Sequence, residues 1–393
     1  MKIKVNKNEA LFFLYYLIFQ LRFFLSSYIN ISLPSVIESI FNILVVIFFL
    51  LNLITKKYTI KEAVICMTTI LFALSVSYFS KEYIILITIL TITIMKDIPV
   101  NKAIAMDFSI KVMIIMSTLA LNSLGIIESY KVYRITESGM TIRNSLGFSH
   151  PNVLGIIVAI TIMDYVYLRY RKLRIRSLII LMMITVTINA FADSRTAFYS
   201  TLFLLCMVFI TRYIAKVRAA FLYLGEYFIT ISAVISIVFS LLYKREGVIA
   251  FFDRLLTDRF YYGNLYYKLY GVSLFGKEIN LLDNIYKDSY YITLDNFYMR
   301  LIINFGIVTF ILYLAAFFKL CRTYKSNKTI SKLLMIVFFA IYSISESNGL
   351  NPCFNSSILF IAELIFTRVR NGGGMDGRTY FCNSSCVQNR EIP

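Results

Sequence analysis

The segment Arg143-Asn-Ser-Leu-Gly147-Phe-Ser-His150-Pro-Asn152 carries the only histidine of the chain into what reads as a helix start. Pro151 suits a first helical turn, where a missing N–H is harmless, and the exposed N–H groups there favour an anion. His150 titrates near neutral pH when unperturbed, which fits a general base, although a lone histidine at a helix start also serves as a cap. A second group, Asp193-Ser-Arg195-Thr196, is too short for anything but a tight turn between two helices. Either Asp193 and Arg195 neutralise each other with Ser194 as a cap, or Arg195 offers a planar, permanently charged fork to phosphate. From Val248 to Phe260 apolar residues recur at helical spacing opposite Asp253, Arg254, Asp258 and Arg259, an amphipathic pattern that could turn Arg254 and Arg259 toward an anion. Leu294-Asp295-Asn296-Phe297-Tyr298 and Glu346-Ser-Asn348 complete the set. Asp295 can cap a helix and Glu346 can pair with an arginine, and either acid, once buried, can act as a general base.

The elements that must position these groups are apolar. Of 393 residues 59% are hydrophobic and only 16% charged, with 29 Tyr and 34 Phe, which excludes an ordinary soluble enzyme. Few Pro and Gly exclude disorder and collagen, and six scattered Cys exclude a disulfide-stapled module. The net charge of +18 sits in short clusters between apolar runs, so it reads as a membrane orientation signal and not as a nucleic-acid surface. The expected fold is an all-α integral membrane protein.

A crossing helix needs about 20 apolar residues. Twelve runs qualify, with cores near 10–29, 35–54, 62–79, 82–98, 104–127, 151–168, 177–193, 196–214, 225–243, 296–318, 331–346 and 354–367; the fourth is the weakest. The loop from Arg169 to Arg176 carries five cations and no acid, as does Lys319 to Lys332, and with twelve crossings both fall on the side of the two termini. That side is expected to be cytoplasmic. The opposite side receives loops 128–150 and 244–294, the latter with its amphipathic helix at about 248–260, and residues 1–367 form one membrane domain. Residues 368–393 read as a flexible cytoplasmic tail, in which Cys382 and Cys386 are weak grounds for a metal site. Tyr261, Tyr262, Tyr266, Tyr267, Tyr270, Tyr286, Tyr290 and Tyr291 offer faces for sugars, but in a chain without Trp they also serve as an interfacial belt. Phosphate loops, zinc-hydrolase signatures, nucleophile elbows and Asp-x-Asp pairs are absent, so no metal, nucleotide or other cofactor is expected.

Taken in order, Arg143-x-x-x-Gly-Phe-x-His-Pro-Asn before a helix, Asp-Ser-Arg-Thr between helices, Leu274-Phe-Gly276 in a long loop, Leu-Asp-Asn-x-Tyr298 before a helix and Glu-Ser-Asn348 after the next resembles the Wzy-type polysaccharide polymerases. These share a superfamily with the O-antigen ligases, and the resemblance covers about 130 to 355. Where the family loop carries a second glycine, this chain has Lys277-Glu278. The resemblance implies a multi-pass glycosyltransferase of the bacterial plasma membrane that joins undecaprenyl-diphosphate-linked oligosaccharides into capsular or exopolysaccharide. Its substrate would be the lipid-linked oligosaccharide, with membrane lipid, a chain-length regulator and a flippase of the same pathway as partners and no nucleic acid. Arg143 and Arg195, then Arg254 and Arg259, would stabilise the diphosphate leaving group, with His150 as base and Glu346 and Asp295 in reserve. Asn152, Asp193, Asn296 and Tyr298 would line the substrate. The alternatives are a flippase for the same lipid-linked unit, against which mid-helix charges are few, and ligase-type glycan transfer.

Overall fold

The computed structural model of the chain describes residues 6–136, 139–279 and 293–366. Each of the twelve apolar runs forms α or 3-10 helix. An apolar run leaves its backbone few partners other than itself, so helix is the form that satisfies it in lipid. Among the described residues eight helices are long and apolar enough to cross a membrane: α1 (Lys7–Ser27), α2 (Ser35–Thr55), α3 (Ile60–Ser80), α5 (Val100–Ser123), α6 (Pro151–Arg169), α7 (Ile175–Ala192), α8 (Arg195–Tyr213) and α14 (Ile307–Ser326). A ninth candidate is the pair α9 (Ala215–Leu224) and α10 (Phe228–Leu241), bent by 63° at the break between them. α2 shows what such a surface looks like: Val36, Ile43, Val46 and Ile54 are each more than half exposed, and Asn52 is its one buried residue.

The remaining three runs are short: α4 (Ile84–Thr93), α15 (Ile330–Tyr342), and a 3-10 turn Ser356–Ile361 continuing into α16 (Ala362–Phe366). α4 nevertheless links the two ends of the bundle. Glu82 before it pairs with Arg300, and the Ile94 carbonyl after it accepts from Lys56. α15 and α16 form a hairpin whose two feet meet where Lys332 pairs with Glu363, and whose tip, Ser343 to Asn355, is enclosed by the bundle. Tyr16 donates to the Pro352 carbonyl at 3.3 Å, Thr88 to the Leu350 carbonyl at 2.6 Å and Ser356 to Asp164 at 2.5 Å, so α1, α4 and α6 all hold this tip.

Two expectations are corrected. The run expected over 296–318 is broken at Asn304-Phe305-Gly306 into α13 (Phe297–Ile303) and α14, with Phe297 meeting Tyr313 edge-to-face, ring centres 5.2 Å apart. The amphipathic helix expected over 248–260 is likewise two helices, α11 (Val248–Leu255) and α12 (Arg259–Tyr270), because Thr257 and Asp258 adopt left-handed backbone angles. Val248, Phe251, Phe252 and Leu255 face outward while Asp253 is buried, where it accepts from the backbone N–H groups of Phe260 (2.6 Å) and Tyr261 (3.1 Å) at the start of α12. Loop 128–150 contains an antiparallel hairpin of β1 (Lys131–Thr136) and β2 (Gly139–Asn144), the one sheet among the described residues.

Leu274-Phe-Gly276 docks on the break between α13 and α14. Lys277 N–H donates to the Asn304 carbonyl at 3.0 Å, and Ile307 N–H to the Ser273 carbonyl at 2.9 Å. Gly276 has φ +95°, and a Cβ there would lie 2.3 Å from the Asn304 carbonyl oxygen, so only glycine fits.

Candidate functional site

The end of the bundle opposite the Lys332–Glu363 pair gathers most of the residues that the sequence singles out. Arg143, at the end of β2, is buried; its Nε donates to the Ala192 carbonyl at 2.9 Å and its Nη2 to Asn152 Oδ1. It therefore answers an orphan carbonyl at the C-terminus of α7 and ties it to the first turn of α6. His150 is the N-cap of α6, its Nδ1 accepting from the Asn152 N–H at 3.1 Å, with Pro151 at the first helical position. The cap and the helix start are as the sequence predicts. A neutral imidazole that accepts at Nδ1 carries its proton on Nε2, so the other edge of this ring is a donor.

α8 begins in close contact with this corner. A Cβ on Gly155 of α6 would lie 2.5 Å from Ser194 Cβ, so glycine is what lets the two helix starts approach. Asp193 takes a left-handed conformation (φ +42°) to close α7, and Ser194 precedes α8 without capping it through its side chain. Ser194 makes no cap hydrogen bond through its side chain, so the capping role considered for it beside an Asp193–Arg195 pair is corrected. Arg195 is half-buried and has no hydrogen bond or ion pair among the described residues.

The next residue, Thr196, lies beside Glu346 on the hairpin tip, where its hydroxyl favours the charged carboxylate. Glu346 is buried, and burial together with the neighbouring Asp295 carboxylate raises its carboxyl to about 8, against the opposing effects of Arg259 and the Thr196 hydroxyl. Asp295 accepts from Arg259 Nη1 at 2.8 Å, Thr293 Oγ1 at 2.6 Å and Ser347 Oγ at 3.3 Å. The capping role considered for Asp295 belongs to Asn296, whose Oδ1 accepts from the Met299 N–H at 3.2 Å and from Ser236 Oγ at 2.6 Å. Thr196, Glu346, Asp295 and Arg259 thus form one continuous polar group fed by α8, the hairpin tip, α13 and α12.

Three expected residues stand apart. Tyr298 is fully buried and donates to the Ala340 carbonyl at 2.9 Å, so it fixes α13 to α15 and cannot reach a substrate. Arg254 is exposed on α11, and Asn152 is engaged with Arg143. Tyr286, Tyr290, Tyr291, Cys382 and Cys386 lie outside the described residues.

The sequence reasoning missed other members. Arg300, one turn into α13, pairs with Glu82 at 2.5 Å, and Tyr28, at the end of α1, lies within electrostatic reach of Arg300, Glu346 and Asp295. Arg259 Nε, Asn296 Nδ2, Tyr342 Oη and Ser343 Oγ are buried without a hydrogen-bond partner among the described residues. Buried polar atoms of this kind ordinarily mark bound water or ligand. Taken together, the corner offers an open guanidinium, an imidazole edge that donates, a buried acid of raised pKa, and unsatisfied donors beside two carboxyl groups. Such a set can bind a phosphate and hydroxyl groups and can take up a proton.

A buried charge cluster was also missed. Lys111 of α5, wholly enclosed, pairs with Asp107 at 2.5 Å and with Asp164 of α6 at 2.9 Å, while Tyr16 (3.0 Å) and Gln20 of α1 donate to Asp107. No family model matches the chain, and no curated protein or solved structure is found to be similar to it.

Proposed function

We propose that the chain is a membrane glycosyltransferase that polymerises undecaprenyl-diphosphate-linked oligosaccharide units into capsular or exopolysaccharide on the outer face of the bacterial plasma membrane. The observation that carries this reading is the adjacency of Arg195, a guanidinium without a partner among the described residues at the start of α8, to the buried Glu346, which lies beside the neighbouring Thr196. If each of the twelve helical segments crosses, their even number and the basic loops 169–176 and 319–332 support a topology with both termini in the cytoplasm.

In this mechanism the acceptor sugar hydroxyl attacks the anomeric carbon of the growing chain. The new C–O bond forms as the bond to the diphosphate oxygen breaks, the hydroxyl proton passes to Glu346, and the lipid diphosphate leaves. Arg195 and the Nε2 edge of His150 stabilise charge developing on the diphosphate. Because Nδ1 of His150 is committed to the cap, Glu346 takes the role of base first considered for the histidine. Arg143 and Asn152 position the α6 and α7 ends, and Arg259 holds Asp295 beside Glu346. The test is the size distribution of lipid-linked glycan in cells with and without the protein. Single units accumulating on the outer face, with loss of the ladder, support polymerisation.

The Asp107–Lys111–Asp164 cluster favours a second reading, transport of the same lipid-linked unit, because ionisable groups held inside a membrane bundle commonly serve transport pathways. In that case the single units accumulate on the cytoplasmic face.

A further inference from the structure

At the basic end, α9 stops at Leu224 and α10 starts at Phe228, and the break opens a cavity of about 470 Å³ against the C-terminal half of α14. Glu226, Tyr227, Phe318, Arg322, Lys325 and Ser326 line it. The negative groups at the break are already matched by one cation. Lys325 Nζ pairs with Glu226 at 2.5 Å, reaches the Tyr223 carbonyl near the end of α9 at 3.4 Å and lies 4.3 Å from the Tyr223 ring centre. What remains facing the cavity is positive. Arg322 is exposed and has no partner among the described residues, and Tyr227, the residue before α10, provides no side-chain cap, leaving the positive end of that helix's dipole open. Other arginines nearby are engaged: Arg218 donates to the Thr211 and Arg212 carbonyls, both at 2.8 Å, and Arg212 to the Tyr170 carbonyl at 2.6 Å.

The walls of the cavity are aromatic. The rings of Tyr227 and Phe318 meet at a tilt of 57° with centres 6.3 Å apart, and Tyr223 and Leu224 expose more than half of their surface beside the break. A cation and an open helix start above apolar, outward-facing rings suit a phosphate that is attached to acyl chains. We propose that this cavity binds the phosphate of an anionic phospholipid headgroup, with Arg322 as its principal contact. The site lies at the opposite end from Arg195 and Glu346 and stands independently of the glycosyltransferase reading.

The test uses the full chain reconstituted in nanodiscs of phosphatidylglycerol with phosphatidylcholine, released into detergent and analysed by native mass spectrometry for retained lipid. Wild-type protein should retain phosphatidylglycerol over phosphatidylcholine, and Arg322→Gln should retain about tenfold less of it, as for loss of one charge-assisted contact. Tyr227→Asp, which adds a carboxylate to the lining, should lower retention as well and decides the matter if Arg322→Gln does not fold. Equal retention of both lipids, or unchanged retention in both variants, overturns the proposal. Inorganic phosphate should displace the lipid only weakly; if it occupies the site at micromolar concentration, the lipid assignment is overturned in favour of a free phosphate.

Discussion

Arg259 donates to the Asp295 carboxylate at 2.8 Å, joining the start of α12 to the residue that precedes the Asn296 cap of α13. Arg259 is almost enclosed, with its side chain 10% exposed, so its charge depends on this partner. Removing one member of a buried pair leaves the other unpaired in a medium of low polarity. Arg259→Met or Asp295→Leu should each destabilise the protein by about 3 kcal/mol, and the double variant by clearly less than the sum. Thermal unfolding of the four proteins in one detergent checks this double-mutant cycle.

Arg195 presents the opposite case. It has no partner among the described residues, so Arg195→Ala should change stability by no more than about 0.5 kcal/mol. In the proposed mechanism it should nevertheless lower polymer formation by about 10²- to 10³-fold, the usual loss for one donor to a developing anion. The glycan ladder measured beside a melting curve separates the two effects. A normal ladder from Arg195→Ala would remove this residue from the site.

His150 has two separable duties, capping α6 and offering an imidazole edge. Asparagine caps helices well but has no ring. His150→Asn should therefore keep the melting temperature of the parent and lose polymer, whereas His150→Ala should lose polymer and about 1 kcal/mol of stability. Full-length polymer from His150→Asn would reduce the residue to its cap.

Glu346 predicts a pH dependence. Its carboxyl is held at about 8 in the folded protein, against 4.5 for the free group, by burial and by Asp295. A base acts when deprotonated, so the rate should rise about tenfold per pH unit below about 8 and then level off. Stability should run the other way. The neutral carboxyl suits the folded state, so its contribution is fully present below about 4.5 and is lost as the pH rises through about 8. Glu346→Gln should abolish the rate and flatten this part of the stability profile, which rate measurements and melting temperatures between pH 5 and 9 would follow.

Much of this architecture is legible in the chain because a lipid-facing helix must be apolar over its whole length, as α2 is. The start of α6 is legible for a local reason: His150, Pro151 and the run after them specify a cap and a first turn. Contacts between distant elements are not legible. Asp107 lies one turn from Lys111, but Asp164 comes 53 residues later inside a run that reads as uniformly apolar. The break that separates α13 from α14 is hidden for a related reason. Gly306 interrupts an apolar stretch, and its consequence becomes visible only when Leu274-Phe-Gly276 is seen docked against it. The clustering of Glu346 with Thr196 likewise depends on a hairpin that brings the last helices back to α8.

That hairpin also sets an order of assembly. Its tip is fastened to Tyr16, Thr88 and Asp164 across sequence separations of 336, 262 and 192 residues. Until residues beyond Ile330 emerge from the ribosome, the interior between α1, α4 and α6 lacks its filling, and Tyr16, Thr88 and Asp164 have only their partners within the earlier helices, Asp107, the Ile84 carbonyl and Lys111. Closure of the core and completion of the Glu346 corner are therefore the same late event, so a chain interrupted before α15 would be inserted helix by helix and remain without either.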